Sequence, residues 1–210
     1  MTAACRIAAS FPPRARLYAL IRFGIIRSGI LRPMHELLPR RGRVLEVGCG
    51  YGLFAAWFAA RAPGRTVLGV GRDAGRVALA NRMAQRLGVA ARFEAVDARA
   101  LPAGERFDAI YALDVLHHVP RAAHDALLRD LRDRLEPGGL LLVKEIDTRP
   151  AFGLAFTRAP DRVMAPRDEL SYRGVDDWRA TLARAGFSVE ARRIPDLLPY
   201  PHVLLACRRL

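Results

Sequence analysis

Residues 44–52 read "VLEVGCGYG". A short apolar run ends in three glycines that alternate with other residues. Such a run, bounded by glycine, reads as a buried strand breaking into a loop. Gly48, Gly50 and Gly52 let the chain turn sharply and leave room for a ligand against the backbone. The helix expected next, "LFAAWFAARA" from Leu53, adds unpaired N–H groups and a positive dipole end. Glu46 stands two residues before the first glycine, where a carboxylate can hold a ligand's ammonium. A dinucleotide loop is spaced G-x-G-x-x-G/A; here the third glycine falls one place early. A glycine triplet also occurs as a plain turn, so the rest of the chain has to decide.

Downstream, strands and helices alternate. "TVLGV" reads as a second strand and "AGRVALANRMAQRLG" as a helix with Val77, Ala80, Ala84 and Leu87 on its apolar stripe. "ARFEAVDA", "FDAIYAL" and "LLLVKEI" read as strands three to five, and "AAHDALLRDLRDRLEPGG" as a helix stopped by Pro-Gly-Gly. This alternation predicts a mostly parallel sheet covered on both faces, with ligands beyond the carboxyl ends of its strands. After residue 149 the pattern changes. Residues 149–172 show no clear period, "GVDDWRATLARAGF" reads as a helix, and "SVEARRI" and "HVLLACRRL" read as an antiparallel pair. Seven strands are expected in all.

Composition narrows the function. The chain has 210 residues, 51% of them hydrophobic, which predicts one domain. The best candidate for a membrane span, "LYALIRFGIIRSGIL" (17–31), is broken by Arg22 and Arg27. It is shorter than the roughly 18 apolar residues a span needs. Its apolar residues point in all directions on a helical wheel, so it is not a clean amphipathic anchor. No secretory signal is read at the start. Three scattered cysteines, Cys5, Cys49 and Cys207, argue against a disulfide framework or a zinc site, and a cytoplasmic location is expected. The net charge is +13, yet Lys144 is the only lysine; a skewed codon supply explains that balance as readily as an acidic partner does. The first 43 residues stand apart, with nine arginines and a single acid, Glu36. Such a leader suits peripheral contact with a membrane or an anionic carrier, or a helix packed across the domain mouth.

Taken together, "VLEVGCGYG", "FEAVDARALP", "RFDAIYALDVLHHVP" and "LRDRLEPGGLLLVKE" resemble, in order, the motifs of class I S-adenosylmethionine-dependent methyltransferases. The resemblance covers roughly residues 40–210. It implies a Rossmann-like α/β sandwich whose seven-stranded, mostly parallel sheet carries an antiparallel C-terminal strand. It implies one domain: a helical cap (1–40), a cofactor-binding half (41–148), a substrate-side insert (149–172), and a terminal helix with a strand pair (173–210). It further implies S-adenosylmethionine as cofactor, a small-molecule substrate, Glu46 at the methionine ammonium, and Gly48, Cys49, Gly50 and Gly52 as a backbone cradle. Asp97 and Ala98 would meet the adenine, and Asp114 would lie near the methionine end.

One position departs from the pattern. The second strand of such enzymes ends in an acid that grips the ribose, and here that place is Gly71, followed by Arg72 and Asp73. An acid two residues on is displaced by about 6–7 Å along an extended strand. Either Asp73 takes over, or the ribose meets backbone and water, or cofactor binding is lost. A small residue followed by arginine also suits a 2′-phosphate, which keeps an NADP oxidoreductase as an alternative. A non-catalytic binding protein is the other.

Methyl transfer from a sulfonium needs alignment and exclusion of water, and with some nucleophiles a general base. His117 and His118 are the candidates for that base; scaffold roles suit them too. Glu145 and Asp147 point toward the same mouth. The chain lacks the Asn/Asp-Pro-Pro-Tyr/Phe motif of enzymes that methylate base or glutamine amino groups, and no nucleic-acid-binding module is appended. Aromatic residues beside arginines in 1–40 and 149–172, among them Phe152, Phe156, Tyr172, Arg149, Arg158, Arg162 and Arg167, suit a partly hydrophobic molecule bearing an acid, phosphate or carrier. They suit plain lid packing equally.

Overall fold

A computed structural model describes residues 2–164 and 170–210; Arg167 lies outside them. The chain divides into two compact units, Met1–Ile110 and Tyr111–Leu210. Its strands form one sheet in the order β3-β2-β1-β4-β5-β7-β6, seven strands as the alternation predicts.

In the first unit, three helices precede the sheet: α1 (Ala3–Ala9), α2 (Pro13–Ile25) and α3 (Ser28–Leu37). Then follow β1 (Arg41–Val47), α4 (Leu53–Ala59), β2 (Gly64–Val70), α5 (Ala74–Leu87) and β3 (Ala91–Glu94). β1 and β2 run parallel with Val44 opposite Val67, and β2 and β3 run parallel with Val70 opposite Glu94. A strand buried on both faces has no polar alternation, and Val44–Val47 are accordingly all buried, Glu46 included. α4 is buried on every side, which is why it shows no polar stripe. Gly88, at φ 62°, ends α5 as expected. Asn81 of α5 donates to the Phe93 carbonyl at 2.8 Å and accepts from its N–H at 3.0 Å, tying the helix to β3.

Arg65 fastens the leader to this unit. It is fully buried, and its guanidinium donates to the carbonyls of Leu38, Pro39 and Phe58 at 2.8–3.1 Å. A planar fork with five donors can satisfy itself on carbonyls in this way. Burial and the nearby Arg65 hold His35 below its usual pKa, consistent with its Nδ1 lying 3.2 Å from the guanidinium.

β4 (Phe107–Leu113) ends in the second unit, which continues with α6 (His124–Asp133), β5 (Leu135–Ile146), α7 (Ala151–Met164), α8 (Val175–Arg184), β6 (Phe187–Ile194) and β7 (His202–Arg209). β7 lies antiparallel to both β5 and β6, pairing Val143 with Leu205 and Ile194 with His202. Two differences from the sequence reading stand out. α6 stops at Asp133, and Pro137-Gly138-Gly139 belong to the start of β5. The segment after 149, read as lacking a period, forms α7. Its glycine has a packing reason: a Cβ on Gly153 would lie 2.6 Å from the Pro199 carbonyl oxygen.

Candidate functional site

The first unit builds its candidate site from backbone. Gly48, Gly50 and Gly52 all have positive φ, at 75°, 51° and 69°, the region where side chains are strained. Their duties differ. The amides of Gly48 and Cys49 both donate to the Val70 carbonyl, at 2.8 and 2.9 Å, locking the loop to the end of β2. Gly52 donates to Cys49 O at 2.7 Å, and a Cβ there would lie 2.4 Å from the Phe93 ring. A Cβ on Gly50 would meet nothing within 4 Å. Gly50 is therefore the open face of the loop, while Gly48 and Gly52 shape it. Glu46, in β1 two residues before the loop, is buried. Burial, helped by the Glu46 charge, pushes the Cys49 thiol far up, so Cys49 stays protonated and inert.

Gly71 faces this loop. A Cβ on it would stand 3.2 Å from Cys49 Sγ and 3.6 Å from the amide nitrogens of Cys49 and Gly50. A side chain at 71 would thus point at the loop itself. Asp73 is engaged elsewhere. Its Oδ1 accepts from the Arg76 N–H at 3.0 Å, capping α5, and its Oδ2 lies 3.2 Å from Arg76 Nε.

Asp97 caps the short turn Ala98–Ala100 and takes three hydrogen bonds from Arg99, through its backbone N–H, Nε and Nη2, at 2.9–3.0 Å. Those bonds lower its pKa to about 2. A carboxylate has about four acceptor sites, so one on Oδ2 is left for an amino group. Ala98 beside it is buried. The leader covers the loop: Tyr18 of α2 packs on Tyr51 at 5.0 Å, Phe11 meets Tyr51 at 5.8 Å, and Arg76 lies over both tyrosines.

The second unit builds with buried charge. Asp114 has φ 53°, a left-handed conformation that aspartate tolerates better than most residues. Its amide donates to the Lys144 carbonyl at 2.9 Å, and its carboxylate pairs with the fully buried Lys144 ammonium. Next to Lys144, Glu145 accepts three hydrogen bonds: from the Val115 and Leu116 amides, at 3.1 and 2.7 Å, and from His117 Nδ1, at 2.6 Å. Tyr172 stacks on His117 at 5.1 Å, and His118 lies 4.3 Å from it. His117 is 1% exposed and His118 half-buried. Asp147 accepts from the Val175 amide and from Arg193.

The sequence reading missed two members of this network. Tyr172 carried no signal beyond its aromatic ring. Lys144 did: one lysine in a chain that otherwise uses arginine marks a place for a compact ammonium rather than a broad guanidinium. His124 is a third buried group. It takes Arg173 Nε on Nδ1 and donates from Nε2 to Leu116 O, both at 2.9 Å, and burial keeps its pKa low.

Comparison with known proteins agrees with this layout. A family model described as a methyltransferase domain matches residues 18–192. Methyltransferase GfsG of Streptomyces halstedii is 31% identical over 150 residues, 70% of this chain and 53% of its own length. A ubiquinone biosynthesis O-methyltransferase of Dinoroseobacter shibae is 33% identical over 142 residues, 67% of this chain and 54% of its own. The chain thus spans about half the length of these curated relatives. Among solved structures, the S-adenosylmethionine-dependent methyltransferase SibL superposes with a TM-score of 0.75 at 23% identity, covering 96% of this chain and 60% of that one. With the glycine loop after β1, the seven-stranded order and a family match over most of its residues, the chain belongs to the class I S-adenosylmethionine-dependent methyltransferases.

Proposed function

We propose that the chain transfers a methyl group from S-adenosylmethionine to a small hydrophobic molecule bearing an acid or a carrier, and releases S-adenosylhomocysteine. The carrying observation is the loop of three positive-φ glycines that follows buried Glu46. Gly50 is the place where a ligand meets the backbone, Glu46 takes the methionine ammonium, and the free acceptor site of Asp97 takes the adenine amino group beside Ala98. The bound sulfonium supplies an electrophilic methyl; the protein's share is alignment and the exclusion of water. The ribose meets backbone and water beside Gly71, because Asp73 is spent on α5.

In the second unit, Glu145 and Tyr172 enclose His117, which suits a holding role. The base, where the acceptor needs one, falls to His118. Replacing a general base costs typically 10²–10⁴-fold, so His118→Gln is expected to lower kcat by about 100-fold with little change in KM, whereas His117→Gln lowers thermal stability. The substrate class rests on α7. Phe152 and Phe156, one turn apart, are 68% and 41% exposed, with Arg149 and Arg158 exposed nearby in the chain. Both curated relatives named above are called methyltransferases, and one is an O-methyltransferase of ubiquinone biosynthesis, which favours a hydroxyl acceptor.

Titration calorimetry tests the reading. Heat with S-adenosylhomocysteine and none with NADPH is expected; the reverse would establish the oxidoreductase alternative. The missing acid at Gly71 favours a second reading, a non-catalytic protein of this fold that has lost cofactor binding. It predicts no heat with S-adenosylhomocysteine in the wild type and heat in Gly71→Asp.

A further inference from the structure

We propose that α2 is a membrane-docking helix which lays its outer face on an anionic bilayer. This helix is apolar on two sides for two reasons. Ala15 and Ala19 face inward and are buried, and Tyr18 and Phe23 pack on Tyr51 and Phe54. The opposite side carries Leu17, Leu20 and Ile21, spaced i, i+3 and i+4, and these are 61%, 49% and 49% exposed. At 100° per residue the three side chains share one face. The sequence reading saw apolar residues all round the wheel; the structure divides them into a face used in packing and a face left in water.

Charge selects the occupant. Arg14 flanks the stripe on one side and is exposed, and Arg16 flanks the other. Nine arginines and one acid lie in residues 1–43, and that acid, Glu36, already pairs with Arg32 at 3.2 Å. A second copy of the chain meeting this face symmetrically would set arginine against arginine. A surface of anionic headgroups over acyl chains complements both the charge and the apolar stripe, which is the pattern of helices that lie in the membrane interface. No helix among the described residues is long and apolar enough to cross a membrane, so contact would be in the plane of the surface. Because the inner face of the same helix rests on Tyr51 of the glycine loop, docking would place that loop close to the bilayer.

Co-sedimentation with vesicles tests this. The whole chain is expected to pellet with phosphatidylcholine–phosphatidylglycerol vesicles (7:3) and not with pure phosphatidylcholine. Leu17→Glu/Ile21→Glu should weaken that binding at least tenfold, and Arg14→Glu severalfold. Thermal melting followed by circular dichroism, measured on the same variants, reports whether they are folded and is independent of the vesicle result. Equal pelleting of wild type and the double variant would overturn the proposal, as would the absence of any pelleting. A wild-type dimer in light scattering that becomes monomeric in Leu17→Glu/Ile21→Glu would overturn it in favour of a second copy.

Discussion

The two units solve the problem of a polar site in opposite ways. In the first, the loop at 48–52 is made of backbone, the buried acid Glu46 precedes it in the chain, and a neighbouring position, Gly71, has no side chain at all. In the second, the ends of β4 and β5 are held by acidic side chains: Asp114 on Lys144, Glu145 on a turn and a histidine, Asp147 on Arg193. Backbone sites are cheap to keep open, because glycine leaves nothing to desolvate. Buried charges are costly to isolate, because each must keep its partner. The first unit is therefore expected to lose ligand affinity before stability when altered, and the second to lose stability first.

The largest effect is expected from Glu145→Ala. It strands the part-buried Val115 amide, the buried Leu116 amide and the Nδ1 of buried His117; each buried polar group left unsatisfied costs about 1–3 kcal/mol, and chemical denaturation should register the sum. Gly52→Ala comes next. Its φ of 69° and the 2.4 Å approach of Phe93 to the added Cβ predict a loss of about 2–3 kcal/mol by strain and overpacking. Gly50→Ala sharpens the contrast. The space beside it is open, so the stability cost is only about 1 kcal/mol, while affinity for S-adenosylhomocysteine should fall at least tenfold; unchanged affinity would remove Gly50 from the site. Asp73→Ala removes the cap of α5 and should cost about 1 kcal/mol with the same affinity retained. A fall in affinity would instead return the ribose contact to Asp73.

A last expectation is a dependence on pH. His202 is buried, and that burial, with the charge of Lys144, lowers its pKa from 6.5 to about 4. A histidine held neutral in the folded chain takes up its proton first in the unfolded chain, so stability falls as pH drops from about 6.5 toward 4. His202→Asn should flatten that part of a melting-temperature profile and leave the alkaline side unchanged.

Much of the fold was legible because burial writes itself into local sequence. Val44–Val47 and Val67–Val70 are apolar runs because both faces of their strands are covered, and the glycines mark where the chain must turn. α7 was not legible. Its helix packs Gly153 against Pro199, a contact from a loop some 45 residues away, and no local period records that. Likewise the leader's two apolar faces could be told apart only after one of them had found Tyr51 and Phe54.

In the site the division runs along the same line. Glycine spacing, Glu46 and the vacancy at Gly71 were visible in order along the chain, since each depends on what one residue type permits. Which glycine is open and that Glu145 holds His117 depend on distances between segments remote in sequence; that Asp73 caps α5 through Arg76 is local, but only the structure shows which way its carboxylate turns. Residue identity limits what each group can do; packing in three dimensions decides which of its partners it keeps.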